Sequence, residues 1–142
     1  VREGSTSRAL EIFADLDRAD KYVRRGFTEF DFRYAYGRAL VQSGAHGLAK
    51  QHFERCIEIR PHFAPGHFNL GLVFSHLQRP LDAEAAFRTA LELDPESMEI
   101  RRRLMLQLQA NGVEAEADDV RRVGHEIHPD SPKFAPARAL SR

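Results

Sequence analysis

Apolar residues return in this chain with a helical period, and the helical stretches themselves return. Phe30, Ala64 and Met98 each open a segment of 34 residues with a proline near its end, at Pro61, Pro95 and Pro129. Counting each opening residue as position 1, position 7 holds Tyr36, Leu70 and Leu104, and position 11 holds Leu40, Phe74 and Leu108. Position 20 holds Ala49, Ala83 and Ala117, and position 27 holds Cys56, Ala90 and Gly124. Position 8 holds Gly37, Gly71 and then Met105, while position 24 holds Phe53, Phe87 and then Arg121. A pattern in register over three segments predicts one supersecondary unit used three times, each copy burying its apolar face against its neighbours.

Each unit reads as helix A, a tight turn, helix B and a short link. In the first, helix A is expected over 29–41, Gly44 supplies the turn, and helix B runs to Ile59. The closing proline disfavours helical geometry in the residue before it, which places Arg60, Asp94 and His128 outside the helices. The second turn has Gln78 and Arg79 in place of glycine, with Pro80 expected in the first turn of helix B, where a missing N–H costs little. Gly112 restores the turn in the third unit, and Asn111 suits the same left-handed conformation.

The period, the small residues at 8, 20 and 27, the large apolar ones at 7, 11 and 24 and the proline at 32 resemble the tetratricopeptide repeat family over residues 30–131. The resemblance implies an all-α fold, a right-handed superhelix of helix-turn-helix units. The expected organisation is an N-terminal capping helix (1–29), repeats at 30–63, 64–97 and 98–131, and a tail or short capping helix (132–142). Small residues at 8 and 20 bring helices A and B together. Met105 and Arg121 depart from the pattern and suggest a third unit whose outer side is solvated or covered differently, as terminal repeats often are.

Ahead of the repeats, Ser5, Thr6 and Ser7 offer N-caps for a helix with an apolar stripe of Leu10, Phe13, Leu16, Ala19 and Val23, ending near Gly26. It is expected to cover the first unit. The alternative placement is in the groove over Tyr34, Phe68 and Leu72, for which the helix has a suitable apolar stripe.

The A helices carry function if any element does. Positions 2, 5, 6, 9, 12 and 13 lie opposite the core-facing 7, 8 and 11. There Tyr34, Phe68, Leu72 and Leu106 are apolar with no core role evident from the pattern, and such a face calls for a partner. In the family this face lines a concave groove that holds a peptide. The resemblance therefore implies a groove of Tyr34, Arg38, Phe68, Asn69, Leu72, His76, Arg102, Arg103 and Leu106. Apolar side chains would supply contact area, Arg38, Arg102 and Arg103 forked donors for carboxylates, and Asn69 a paired donor and acceptor for peptide backbone. One branch, the carboxylate-clamp domains that bind acidic tails of heat-shock chaperones, is matched at Asn69 and Arg103 but not at Tyr34, Arg38 or Glu99. Arg101–Arg103 have a second use, pairing with Glu114, Glu116, Asp118 and Asp119.

Composition narrows the rest. Twenty-one basic residues balance twenty-one acidic ones, so no general nucleic-acid footprint exists and no nucleic-acid partner is expected. No apolar run is long enough to span a bilayer, which makes a cytoplasmic setting the default. Cys56 is the single cysteine and falls at a packing position, the place of an inert buried thiol. His52 with Cys56, and His125 with His128, have ligand-like spacing but too few partners for zinc, so no metal and no cofactor is expected. No phosphate loop, zinc-protease helix or nucleophile elbow is present, and the chain is expected to be no enzyme.

The expected function is an interaction scaffold that takes an acidic or carboxylate-terminated segment of a partner protein. Two alternatives stand beside it: a bacterial secretion chaperone that holds one client and dimerises through its first helix, or the regulatory arm of a larger enzyme. Eighteen arginines against three lysines fit a GC-rich bacterial genome.

Overall fold

The computed structural model describes residues 2–18 and 21–135. Ala19 of the expected stripe and residues 136–142 of the expected tail lie outside the described residues. The described chain is an all-helical solenoid: α1 (Arg2–Asp17), α2 (Lys21–Arg24), α3 (Glu29–Gln42), α4 (His46–Ile59), α5 (Ala64–His76), α6 (Pro80–Leu93), α7 (Met98–Ala110) and α8 (Glu114–Ile127). A 3-10 turn, Pro132–Phe134, follows. None of the described helices is long and apolar enough to cross a membrane.

Antiparallel pairs α3/α4, α5/α6 and α7/α8 stack in order. Within a pair the fit is between glycine and a phenylalanine ring. A methyl on Gly37 would lie 2.9 Å from Cε1 of Phe53, and one on Gly71 2.6 Å from Cε1 of Phe87. Both rings are essentially sealed from water, each burial contributing roughly 2–3 kcal/mol. Leu40, Leu70, Val73, Phe74, Leu104 and Leu108 carry the core from one pair to the next.

The three A helices end alike. The amides of Ala45, Arg79 and Val113 bond the carbonyls of Leu40, Phe74 and Leu108, each at 2.9 Å, a six-to-one closure that needs a left-handed residue. Gly44 (φ +81°) and Gly112 (φ +79°) provide it at no steric cost, but in the second pair Gln78 is held at φ +57°. Pro80 begins α6. Asn111, expected to be left-handed, is instead an ordinary right-handed C-cap (φ −83°). Its amide is needed elsewhere: Nδ2 donates to Glu84 Oε2 (2.7 Å) and to the Pro80 carbonyl (3.3 Å), tying α7 to α6.

The N-terminal segment differs from its expectation in two ways. Ser5, Thr6 and Ser7 lie inside α1, which already starts at Arg2, so they are not its caps. One helix becomes two, and Val23 of the predicted stripe is 60% exposed while its neighbour Tyr22 is buried and stacked on Phe32 at 4.5 Å. Of its two placements, α1 takes the one that covers the first pair and does not lie in the groove. Phe13 stacks on Tyr36 (5.2 Å) and meets the edge of Phe32 (5.9 Å), while Asp17 pairs with Arg33 at 2.8 Å. Phe32 and Tyr36 are each two residues from Tyr34, so α1 packs on the opposite side of α3, about 200° around the helix.

At the other end Phe134 inserts against Gly124, where a methyl would lie 2.6 Å from its ring, and is 1% exposed. Met105 is buried and Arg121 pairs with Asp118 at 2.6 Å, so of the two expectations for the third unit it is the different covering, not solvation, that holds for Met105.

Candidate peptide-binding groove

The face shared by α3, α5 and α7 is built from positions 5, 6, 9 and 13 of each A helix. Three of its apolar residues have more of a core role than the pattern suggested. Tyr34, Phe68 and Leu72 are half-buried and pack on the central core. Tyr34 is boxed by Phe30, Phe53 and Phe63, and Phe68 leans on Phe87 at 5.8 Å. They form the floor of the face, with only their outer surfaces free. Leu106, 40% exposed, stands clear of it.

The polar groups differ in how far they are already engaged. Asn69 is spent within the fold, donating Nδ2 to the Pro65 carbonyl (2.7 Å) and to the Tyr34 hydroxyl (3.2 Å), which fixes both side chains. Arg103 is held by Glu99, Nε to Oε1 at 3.0 Å. Arg38 lies over the Tyr34 ring, 5.9 Å from its centroid, and neither Arg38 nor Arg102 has a carboxylate partner among the described residues. The expected pairing of Arg101–Arg103 with the acids of α8 does not occur. Arg101 is buried and donates Nη2 to the Pro95 carbonyl, while Asp118 and Asp119 pair with Arg121 and Arg122.

Between α5 and α7 the face opens into a depression of about 320 Å³, bordered by Leu72, Ser75, His76, Arg103, Leu106 and Gln107. His76 stacks flat on His46 from the start of α4, centroids 4.2 Å apart and planes within 2°. Burial, and then the neighbouring His76, push the His46 pKa below the usual imidazole value. Ser75 Oγ donates to Gln107 Oε1 at 2.8 Å across the two helices. Ser75 belongs to the face read from the sequence. Gln107 does not, because position 10 points at the seam between helices and no spacing rule distinguishes a seam from a surface.

The cysteine and histidines behave as structural groups. Burial pushes the Cys56 thiol up to about 11, so it stays protonated at neutral pH. His52 faces Arg33 (3.4 Å) and the Tyr36 ring (4.4 Å), and His128 meets the Glu96 carbonyl. Among the described residues no three His, Cys, Asp or Glu side chains converge as a metal-ligand set.

Two family models described as tetratricopeptide repeat match the chain, one at residues 30–63 and one at 64–97. The fold is similar to that of MamA from Desulfovibrio magneticus RS-1: TM-score 0.78, 20% identity, covering 92% of this chain and 71% of that one. It is similar also to YrrB, described as a TPR protein with an unusual peptide-binding site: TM-score 0.76, 19% identity, 100% of this chain and 69% of that one. The second TPR domain of human RPAP3, solved with the HSP70 peptide SGPTIEEVD, aligns with TM-score 0.66 and 18% identity over 72% of this chain and 85% of that one. At these identities the likeness is one of fold. No curated protein matches the sequence.

Proposed function

The chain is a tetratricopeptide repeat protein, and from that premise we propose that it is a protein–protein interaction module whose α3/α5/α7 face binds an acidic segment of a partner. One observation carries the reading. Arg38 and Arg102 present guanidinium groups with no carboxylate partner among the described residues, on the same face as the exposed Leu106. Outside this face the repeat arginines are largely consumed: Arg55 by Glu29 and Glu58, Arg79 by Asp82, Arg88 by Glu84 and Glu116, and Arg122 by Asp119 and Glu126. An incoming carboxylate thus finds free forked donors at the surface, where each ion pair contributes up to about 1 kcal/mol. The acidic peptide held by the RPAP3 domain is in keeping with this chemistry. The family's carboxylate clamp is not reproduced, since Glu99 is an anion that already occupies Arg103 and lies 3.9 Å from Lys133.

The test is a screen of acidic peptides, each with a free C-terminus and as the C-terminal amide, against the wild type and Arg38→Glu/Arg102→Glu. At least tenfold weaker binding by the double variant, with an unchanged helical circular-dichroism spectrum, is expected. Equal affinity removes the face from the proposal. Hits lost on amidation identify a terminal carboxylate as the ligand group; hits retained identify side-chain carboxylates.

A client-holding chaperone is the second reading, favoured by a different surface. Ile12, Val23 and Phe27 are 54%, 60% and 52% exposed near the N-terminal end, where the dimerising helix of that reading would be. A concentration-independent monomer by sedimentation, with no co-purifying client, counts against it.

A further inference from the structure

A second depression, of about 490 Å³, adjoins the one between Leu72 and Leu106 and is bordered by Ser75, Gln78, Pro80, Leu81, Gln107, Ala110 and Asn111. The two share Ser75 and Gln107, whose hydrogen bond forms the sill between them. Their chemistry differs. The first has Arg103 and His76 on its rim; the second has no ionisable residue in its lining.

Apart from the exposed Gln78 amide, its polar side chains are already paired within the fold. Ser75 donates to Gln107, Gln107 Nε2 donates to Asn111 Oδ1 (2.9 Å), and Asn111 donates to Glu84, which is held in turn by Arg88. The Asn111 hydrogen bond, and then Arg88, keep the Glu84 carboxyl below the usual range, so this chain of bonds persists into mild acid. A ligand therefore gains little by offering polar groups here, and an apolar one strands few. What remains for contact is the Pro80 ring, Ala110 and Leu81, and Leu81 is 74% exposed, the most open large apolar side chain among the described residues. The sequence marks the same spot: position 18 of the unit is Gly47 in α4 and Ala115 in α8, but leucine in α6.

We propose that the partner segment is bipartite: carboxylates over Arg38 and Arg102, and one aliphatic or aromatic side chain carried across the Ser75–Gln107 sill onto Leu81, Pro80 and Ala110. The inference rests on the reading of the groove as an acidic-peptide site and adds to it the second determinant. Charge complementarity selects the first half of the segment. The uncharged, internally bonded lining selects the second half.

The test selects random 12-residue peptides on wild type, on Leu81→Asp and on Arg38→Glu/Arg102→Glu. Leu81 is a solvent-facing side chain, so Leu81→Asp is expected to fold as the wild type does; Ala110→Arg, which fills the depression from α7, is the second variant. Wild-type pools should combine Asp or Glu with one apolar residue at a fixed spacing. Pools from Leu81→Asp and Ala110→Arg should keep the acids and lose that residue, and a wild-type hit should bind either variant five- to twentyfold more weakly. Acidic pools without an apolar preference, or a preference that survives both variants, overturn the bipartite segment and leave the acidic groove intact. Wild-type pools without acids, or without binders, overturn both.

Discussion

The second and third helix pairs solve one packing problem with opposite assignments of bulk. In α5/α6 the ring comes from helix B and the space from helix A, Phe87 lying on Gly71. In α7/α8 helix A contributes the bulk as Met105, and helix B carries Arg121 at the site of the ring. The space has moved to Gly124, and the ring that fills it, Phe134, arrives from the 3-10 turn after the last helix. An interior pair must offer apolar surface on both sides, whereas the third pair meets a short turn on one side and can give α8 a charged outer face. Its Glu114, Glu116, Asp118, Asp119, Arg122 and Glu126 are exposed accordingly.

The largest expected effect separates the two assignments at a single position. Phe87→Ala deletes a ring that is 2% exposed and should cost about 3–5 kcal/mol. Arg121→Ala, at the same place in the third unit, removes a side chain whose partner Asp118 is solvent-exposed, and should cost no more than about 1 kcal/mol. Urea midpoints of the two variants measure both. Equal losses would mean that the third pair is packed as the second is.

The next effect concerns the space instead of the ring. Methyls on Gly71 and Gly124 would meet Phe87 and Phe134 at the same 2.6 Å, but the rings differ in their freedom to yield. Phe87 is fixed in the middle of α6. Overpacking there outweighs the gain in helix propensity, and Gly71→Ala should lose about 1–2 kcal/mol overall. Phe134 hangs on one 3-10 turn, so Gly124→Ala should release it, seen as faster proteolysis and amide exchange over 128–135 with a nearly unchanged global midpoint. A global loss in both variants would make the turn as integral to the fold as α6.

These contrasts also locate what could be read from the sequence. Everything that repeats was legible: the helix pairs, the glycine and alanine contacts, the prolines, and the departures at Met105 and Arg121. What occurs once was not. Phe134 and Tyr22 are buried by segments with no register to align them, and a stripe drawn along one continuous helix reaches Val23, whereas the separate helix α2 buries Tyr22 instead. The sequence put the candidate face residues on the A helices, where the structure has them, but their engagement was invisible. Nothing in the spacing says that Asn69 is spent on Tyr34 and Pro65, that Arg103 is held by Glu99, or that Tyr34 and Phe68 are half core.

The turns give a smaller and opposite effect. Gly44 and Gly112 stand at φ values open to glycine, whereas Gln78 holds a left-handed conformation that a side chain resists. Gln78→Gly should therefore stabilise the protein by about 0.5–1 kcal/mol after the added freedom of the unfolded chain is subtracted. Gly112→Gln should lose a similar amount. A destabilised Gln78→Gly would mean that the glutamine side chain contributes more than its backbone costs.

The last prediction compares the first pair with the other two. Position 23 is His52 in α4 but Ala86 in α6 and Val120 in α8, and position 17 is His46, then Pro80 and Glu114. Burial and the nearby Arg33 push the His52 pKa down, with Asp17 opposing, and burial and His76 do the same to His46. Both groups bind protons more weakly folded than unfolded, where imidazole titrates at about 6.5. Their contribution to stability is thus complete above that value and lost as pH falls through the lower folded values. Glu29, held below the usual carboxylate range by the Arg55 hydrogen bond, loses its share only at more acid pH. Between pH 7.5 and 5.5 the urea midpoint should fall, and amide exchange should rise first in α4, where both histidines lie. Replacing both by glutamine should flatten the profile. A midpoint that stays level in the wild type, or falls equally in the double variant, would place the acid sensitivity outside the first pair.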